Sequence, residues 1–170
     1  FFALALSKLQ LRHATLAAFG ATRKVGTKAS EDPQVLSLLD SGAPVITLVA
    51  KSDLRHVTDA LKTTGQENLA MVRDTVQFLV KAGRRVCLDA EHYFDGLTHD
   101  AQYGLKVLKA AGEAGAETVV LCDTNGGNLP STIGTKVAEA RDYLDKHGLT
   151  QVKIGIHTHN DTGCAVANAM

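Results

Sequence analysis

The stretch VKIGIHTHND, residues 152–161, decides the fold. It opens as a short apolar run and ends in His157, His159, Asn160 and Asp161. Side chains alternate across a strand, so Ile154 and Ile156 share one face and the two histidines share the other. An apolar face with polar groups only at the C-terminal end is the pattern of a strand in a helix-covered parallel sheet.

Four more stretches repeat that form: ATLAAFG (14–20), VITLVAK (45–51), RVCLDAE (85–91) and TVVLCDT (118–124). Successive strand starts lie 31 to 40 residues apart. Between them, apolar positions recur at helical spacing, as in Leu69, Val72, Val76 and Leu79, or Ala101, Leu105, Leu108 and Ala111. Asp32-Pro33 reads as a helix N-cap followed by a first-turn proline. Gly83, Gly115 and Gly148 read as helix C-termini. The βα alternation implies a parallel sheet with covering helices.

Polar residues gather at the strand ends: Lys51-Ser52-Asp53, then Asp89, Glu91 and His92, then Asp123-Thr124-Asn125, and last His157 to Asp161. α/β folds build their sites there. A doubly wound sheet concentrates its site at one switch point. Four loaded strand ends favour a closed (β/α)8 TIM barrel instead. Eight units of roughly 35 residues need about 280 residues. The 170-residue chain supplies five strands, so residues 1–170 are expected to form one partial barrel domain, without the first two strands and the closing strand. The chain has no initiator Met and reads as part of something longer.

Composition narrows the function classes. The net charge is zero, which gives no reason to expect nucleic acid or an anionic membrane as partner. No apolar run reaches the length of a membrane span, and FFALALSKLQ lacks the basic start and cleavage pattern of a signal peptide. Cys87, Cys122 and Cys164 stand at no metal-ligand spacing and are expected to be buried thiols, which implies a cytoplasmic setting.

The chemistry-bearing residues follow from parity. His157 and His159, at i and i+2 on one face, can reach one divalent ion; the plainer reading is two strand-end groups bonded to loops. Cys87, Asp89 and Glu91 share the inner face of their strand, where a carboxylate can act as a base or simply pair with a cation. Val120, Cys122 and Thr124 share a face, and Asp123 points to the helix layer or caps the next helix. Gly126-Gly127 permits a tight backbone approach or is a turn. His56 either reaches the mouth or begins a helix. His13, His99 and His147 read as surface residues.

Taken in order, AAFGATRK, EHYFDG, LCDTNGG and GIHTHNDTGCAVAN closely resemble the citramalate synthase group of the isopropylmalate and homocitrate synthase family. The resemblance runs over essentially the whole chain. It implies a TIM barrel with a divalent metal (Mg2+, Mn2+ or Zn2+) at its mouth. It implies an acyltransferase that condenses acetyl-CoA with a 2-oxo acid, here pyruvate, to (R)-citramalate and CoA, in branched-chain amino-acid (isoleucine) biosynthesis. It assigns His157 and His159 as metal ligands and Glu91 as the catalytic glutamate. Thr124, Asp89 and His56 become substrate-binding residues, with Asn160 supporting the ligand histidines, and the full-length protein is expected to be a homodimer.

Some family features have no match here. The family's first strand carries an Arg followed by an Asp, the third protein ligand, and no segment corresponds to it. KSDLRHV is shorter than the family form by one aromatic residue. The 170-residue segment alone is therefore expected to lack synthase activity and to associate through open strand edges. The alternatives are an isopropylmalate or homocitrate synthase, an acyl-CoA aldol-type lyase, a metal-dependent hydrolase, and a non-catalytic remnant. The hydrolase fits poorly, since that class carries its H-x-H on a first strand.

Overall fold

The computed structural model describes residues 2–170. The elements run α1 (Phe2–Lys8), β1 (Ala17–Ala21), α2 (Pro33–Asp40), β2 (Val45–Lys51), α3 (Leu54–Asp59), α4 (Gly65–Lys81) and β3 (Arg85–Glu91). They continue with α5 (Tyr93–Leu97), α6 (Tyr103–Glu113), β4 (Thr118–Asp123), α7 (Pro130–Lys146), β5 (Lys153–Thr158) and α8 (Ala165–Ala169).

The five strands form one sheet in the order β1-β2-β3-β4-β5, and every neighbouring pair is parallel. A doubly wound sheet reverses direction at a switch point. This order has no reversal, so the sheet is an arc of a singly wound barrel. Right-handed crossovers then bring the helices that connect the strands to one face.

That face is the dry one. Ile46, Leu48, Val86, Leu88, Val119 and Leu121 are fully buried beneath Val72, Val76, Leu79, Val107 and Leu108 of α4 and α6. Full burial of such side chains contributes roughly 1.5–3 kcal/mol each. The opposite parity lies on the helix-free face, where Phe19 is 64% exposed and Cys87 is half-buried.

Local signals set the boundaries. The Asp32 side chain accepts from the Gln34 and Val35 N–H groups, and Pro33 occupies the first turn of α2. Gly83, Gly115 and Gly148 all take left-handed φ after their helices. Strand β1 begins at Ala17 rather than at residue 14, because the position that would pair with residue 16 is Pro44, which has no N–H to donate. Ala101 falls outside α6: the Asp100 carboxylate accepts from the Gln102 and Tyr103 N–H groups and starts the helix later.

The thiols depart from expectation. Only Cys122 is buried; Cys87 and Cys164 are half-buried, the first on the open helix-free face and the second beside α8.

Candidate active site

Strands β3, β4 and β5 present their C-terminal ends side by side. Cys122 is the register partner of His157, and Asp89 that of Val120. The alternation that buries Leu88 and Leu121, and half-buries Ile156, on the helix side turns Asp89, Cys122 and His157 to the helix-free face. There Asp89 Oδ2 lies 3.2 Å from His157 Nδ1. One donor atom from each of Asp89, Cys122 and His157 falls within 4.8 Å of the others. The His159 ring centroid is 5.1 Å from that of His157. Nitrogen, oxygen and sulfur donors this close together fit a divalent ion.

A second cluster sits one strand over. Lys51 and Glu91 are register partners on β2 and β3, and their side chains form an ion pair. Ser52 fastens the same corner, donating from its N–H and its hydroxyl to the Glu91 carbonyl at 3.0 and 2.7 Å. The Glu91 backbone is therefore held from β2.

The chain then turns sharply. His92 adopts a left-handed backbone, φ 59° and ψ 31°. Its N–H donates to Thr124 Oγ1 at 2.8 Å, which joins the ends of β3 and β4. Its ring packs on that of His56, with centroids 4.0 Å apart, so His56 of α3 reaches the mouth. The other side of the His92 ring approaches the Asp95 carboxylate, Nδ1 to Oδ2, at 3.5 Å.

The loops after β4 and β5 grip each other. Gly126 has φ +60°, and a Cβ there would lie 2.5 Å from Asp161 Oδ2 and 2.9 Å from the His159 carbonyl carbon. The Thr162 N–H and hydroxyl both donate to the Gly126 carbonyl. Asn160 Oδ1 accepts from the Ala165 N–H at 3.1 Å and closes the loop that follows the histidines. Asp123 is fully buried on the helix side, where it accepts from the Asn128 carboxamide at 2.7 Å.

Electrostatics divide these groups. Burial, with the Asp89 and Glu91 charges beside it, pushes the Cys122 thiol up to about 12. Burial also raises Cys87. Asp53 is fully buried as well, but hydrogen bonds and charge from Arg55 outweigh that burial and hold its carboxyl below the ordinary range.

The structure thus brings Asp89, Glu91, Thr124, His56, His157 and His159 to one end of the sheet, with Asn160 in the adjoining loop. His13, His99 and His147 are exposed. Two residues of the site carry no local signal in the sequence. Lys51 reads as part of a polar strand end, and only parity and register together place it against Glu91. The spacing of Cys122 along the chain matches no metal motif, because its donor partners come from two other strands.

A singly wound parallel arc carrying acidic and imidazole groups at its C-terminal mouth is the architecture of a TIM-barrel segment. The chain belongs to the HMGL-like family, whose model matches residues 10–170. It is 55% identical over its whole length to the (R)-citramalate synthase of Streptomyces coelicolor, of which it covers 31%. It is 47% identical to that of Aquifex aeolicus, over 96% of this chain and 30% of that protein. The hydroxymethylglutaryl-CoA lyase of Pseudomonas aeruginosa shares the fold with a TM-score of 0.73 and 16% identity, over 98% of this chain and 52% of that structure. The chain thus spans under a third of the curated relatives named here.

Proposed function

We propose that this chain carries part of the barrel site of an acyltransferase that condenses acetyl-CoA with pyruvate to (R)-citramalate and CoA. One observation carries the reading: a carboxylate (Glu91), a hydroxyl (Thr124) and an imidazole pair (His157 and His159) meet at one end of the sheet. The 55% and 47% identity to enzymes of that activity supports the choice of substrates.

His157 and His159 would hold the divalent ion. When bound, that ion supplies Lewis-acid polarisation of the ketone and charge for the substrate carboxylate. Hydrogen-bonded to Nδ1, the Asp89 carboxylate orients the His157 ring and fixes which nitrogen is free. Thr124 Oγ1 already accepts from the His92 N–H, so its own proton is available for the pyruvate carboxylate. Asp89 and His56, at the same end of the sheet, would line the substrate pocket beside it.

Glu91 takes a proton from the acetyl methyl group. The enolate carbon then bonds to the ketone carbon, whose carbonyl electron pair moves to oxygen and gains a proton. Water next attacks the thioester, the carbon–sulfur bond breaks and CoA leaves as its thiol. Lys51 positions the Glu91 carboxylate for the first step.

A partial TIM-barrel domain over residues 1–170, a homodimer and a role in isoleucine biosynthesis rest on the family resemblance. The three free thiols support a reducing, cytoplasmic setting. No helix among the described residues is long and apolar enough to cross a membrane.

The test is CoA release by the full-length protein with acetyl-CoA, Mn2+ and either pyruvate or a longer 2-oxo acid. Pyruvate should be preferred, and Glu91→Gln should slow turnover by about 100-fold or more. Absence of CoA release with every 2-oxo acid, or full activity in Glu91→Gln, overturns the reading.

A further inference from the structure

The mouth contains a donor that the proposed condensation does not use. Cys122 lies on β4 between Asp89 of β3 and His157 of β5, and its thiol makes only a weak 3.8 Å contact with the Val120 carbonyl. Asp89 and Cys122 are 9% and 4% exposed. All three donors stand on neighbouring strands of one sheet, so their separation is set by backbone pairing rather than by loops.

We infer that Asp89, Cys122 and His157 form a site for a soft divalent cation, such as Zn2+, Cd2+ or Co2+, overlapping the position proposed for the hard catalytic ion. The donor atoms lie within 4.8 Å of one another, close enough to share one ion. The incoming ion displaces the Cys122 thiol proton to the solvent that reaches the half-exposed His157, and the resulting carboxylate, thiolate and neutral imidazole offset the charge of a divalent ion. Softness decides which ions use it. Mg2+ and Mn2+ gain little from sulfur, whereas Zn2+, Cd2+ and Co2+ gain a strong bond.

Occupancy has a consequence for the neighbouring groups. A soft ion taken up here replaces the 3.2 Å contact between Asp89 and His157. It claims His157, which the hard ion needs together with His159. Soft cations would therefore compete with the hard ion and inhibit, even though both sites lie in the same mouth. This consequence rests on the assignment of His157 and His159 as ligands; the soft-cation site itself does not.

The full-length protein, stripped of metal with a chelator and titrated with Co2+, tests the site. The wild type should develop the near-ultraviolet thiolate-to-cobalt charge-transfer band. Cys122→Ser should bind Co2+ without the band, and Cys87→Ser and Cys164→Ser should keep it. In Cys122→Ser, Cd2+ affinity should fall by more than the roughly 100-fold that losing an outer partner of a metal ligand can cost. Mn2+ affinity should change by less than about threefold, because manganese has little preference for sulfur. A wild type saturated with Co2+ but lacking the band, or a band that persists in Cys122→Ser, overturns the inference.

His159→Ala separates this from the catalytic-ion reading. It should retain the cobalt–thiolate band and lose Mn2+ affinity, measured by electron paramagnetic resonance. Lost Mn2+ affinity in a protein with no band sinks the soft site alone. A band together with unchanged Mn2+ affinity sinks the His157/His159 assignment alone.

Discussion

Lys51 and Glu91 stand opposite each other in the register of β2 and β3, and their side chains form an ion pair at the mouth of the sheet. Both side chains are about a quarter exposed, so the pair is only partly screened by water. Its position matters more than its strength: it aims the carboxylate proposed to take the acetyl proton.

A double-mutant cycle on kcat measures that coupling. Glu91→Gln should cost about 100-fold or more, the usual share of a general base. Lys51→Met should cost less, because a carboxylate remains. The double variant should be no slower than Glu91→Gln alone, since the lysine acts through the glutamate. Independent, multiplying losses would mean that Lys51 has a role of its own.

Tyrosines 93 and 103 provide a matched pair for stability. Tyr93 is fully buried, and its hydroxyl has no hydrogen-bond partner among the described residues. Burial pushes its ionisation well above the usual tyrosine range, so the group stays neutral. Tyr103 accepts from the Asn68 carboxamide at 2.9 Å and donates to the Gly65 carbonyl at 3.2 Å. Tyr93→Phe should leave stability within about 0.5 kcal/mol or improve it, whereas Tyr103→Phe should lose roughly 1–2 kcal/mol. Urea unfolding followed by circular dichroism distinguishes the two, and equal losses would contradict the bonding described.

The parts of this molecule that were legible in its sequence are those governed by local rules. VITLVAK and RVCLDAE match β2 and β3 residue for residue, because an apolar run closed by a charge has one natural end. The inner-face parity of Asp89 and His157 was likewise readable from strand alternation. Lys51 and Cys122 were not, because their partners depend on register between strands about 35 to 40 residues apart in sequence, and alternation alone leaves register open. The grip of Gly126 on the loop at Asp161 was hidden for a similar reason: Gly-Gly announces a turn but not what packs against it.

At the opposite end of the strands, Glu117 bonds Arg85 Nε and Nη2 and also Lys153 Nζ, across the starts of β3 and β5. Hydrogen bonds from Arg85 and then Lys153 lower its carboxyl from the ordinary 4.5 to about 2. A carboxyl depressed in the folded state stabilises above its unfolded value, and that stabilisation is lost as pH falls through the folded value. The Tm gap between wild type and Glu117→Gln should therefore be present at neutral pH and close between about 4.5 and about 2. The Arg85 and Lys153 side chains are exposed, so the gap should be small and narrow in salt. A gap that widens on acidification would reverse the assignment.

Gly126 and Gly127 are adjacent and should respond oppositely to the same change. At Gly126 a methyl group would meet Asp161 Oδ2 at 2.5 Å and the backbone of His159 at 2.9 Å, on a backbone held at φ +60°. At Gly127 nothing lies within 4 Å. Gly126→Ala must push the β5 loop outward, and His159 moves with it. Strain and overlap together should cost about 1–3 kcal/mol and weaken Mn2+ binding. Gly127→Ala should leave both Tm and Mn2+ affinity close to wild type. Thermal unfolding and a manganese titration on the two variants decide the matter. If Gly126→Ala lost stability but kept full Mn2+ affinity, the grip between the loops would be structural only, and His159 would not depend on it for its position.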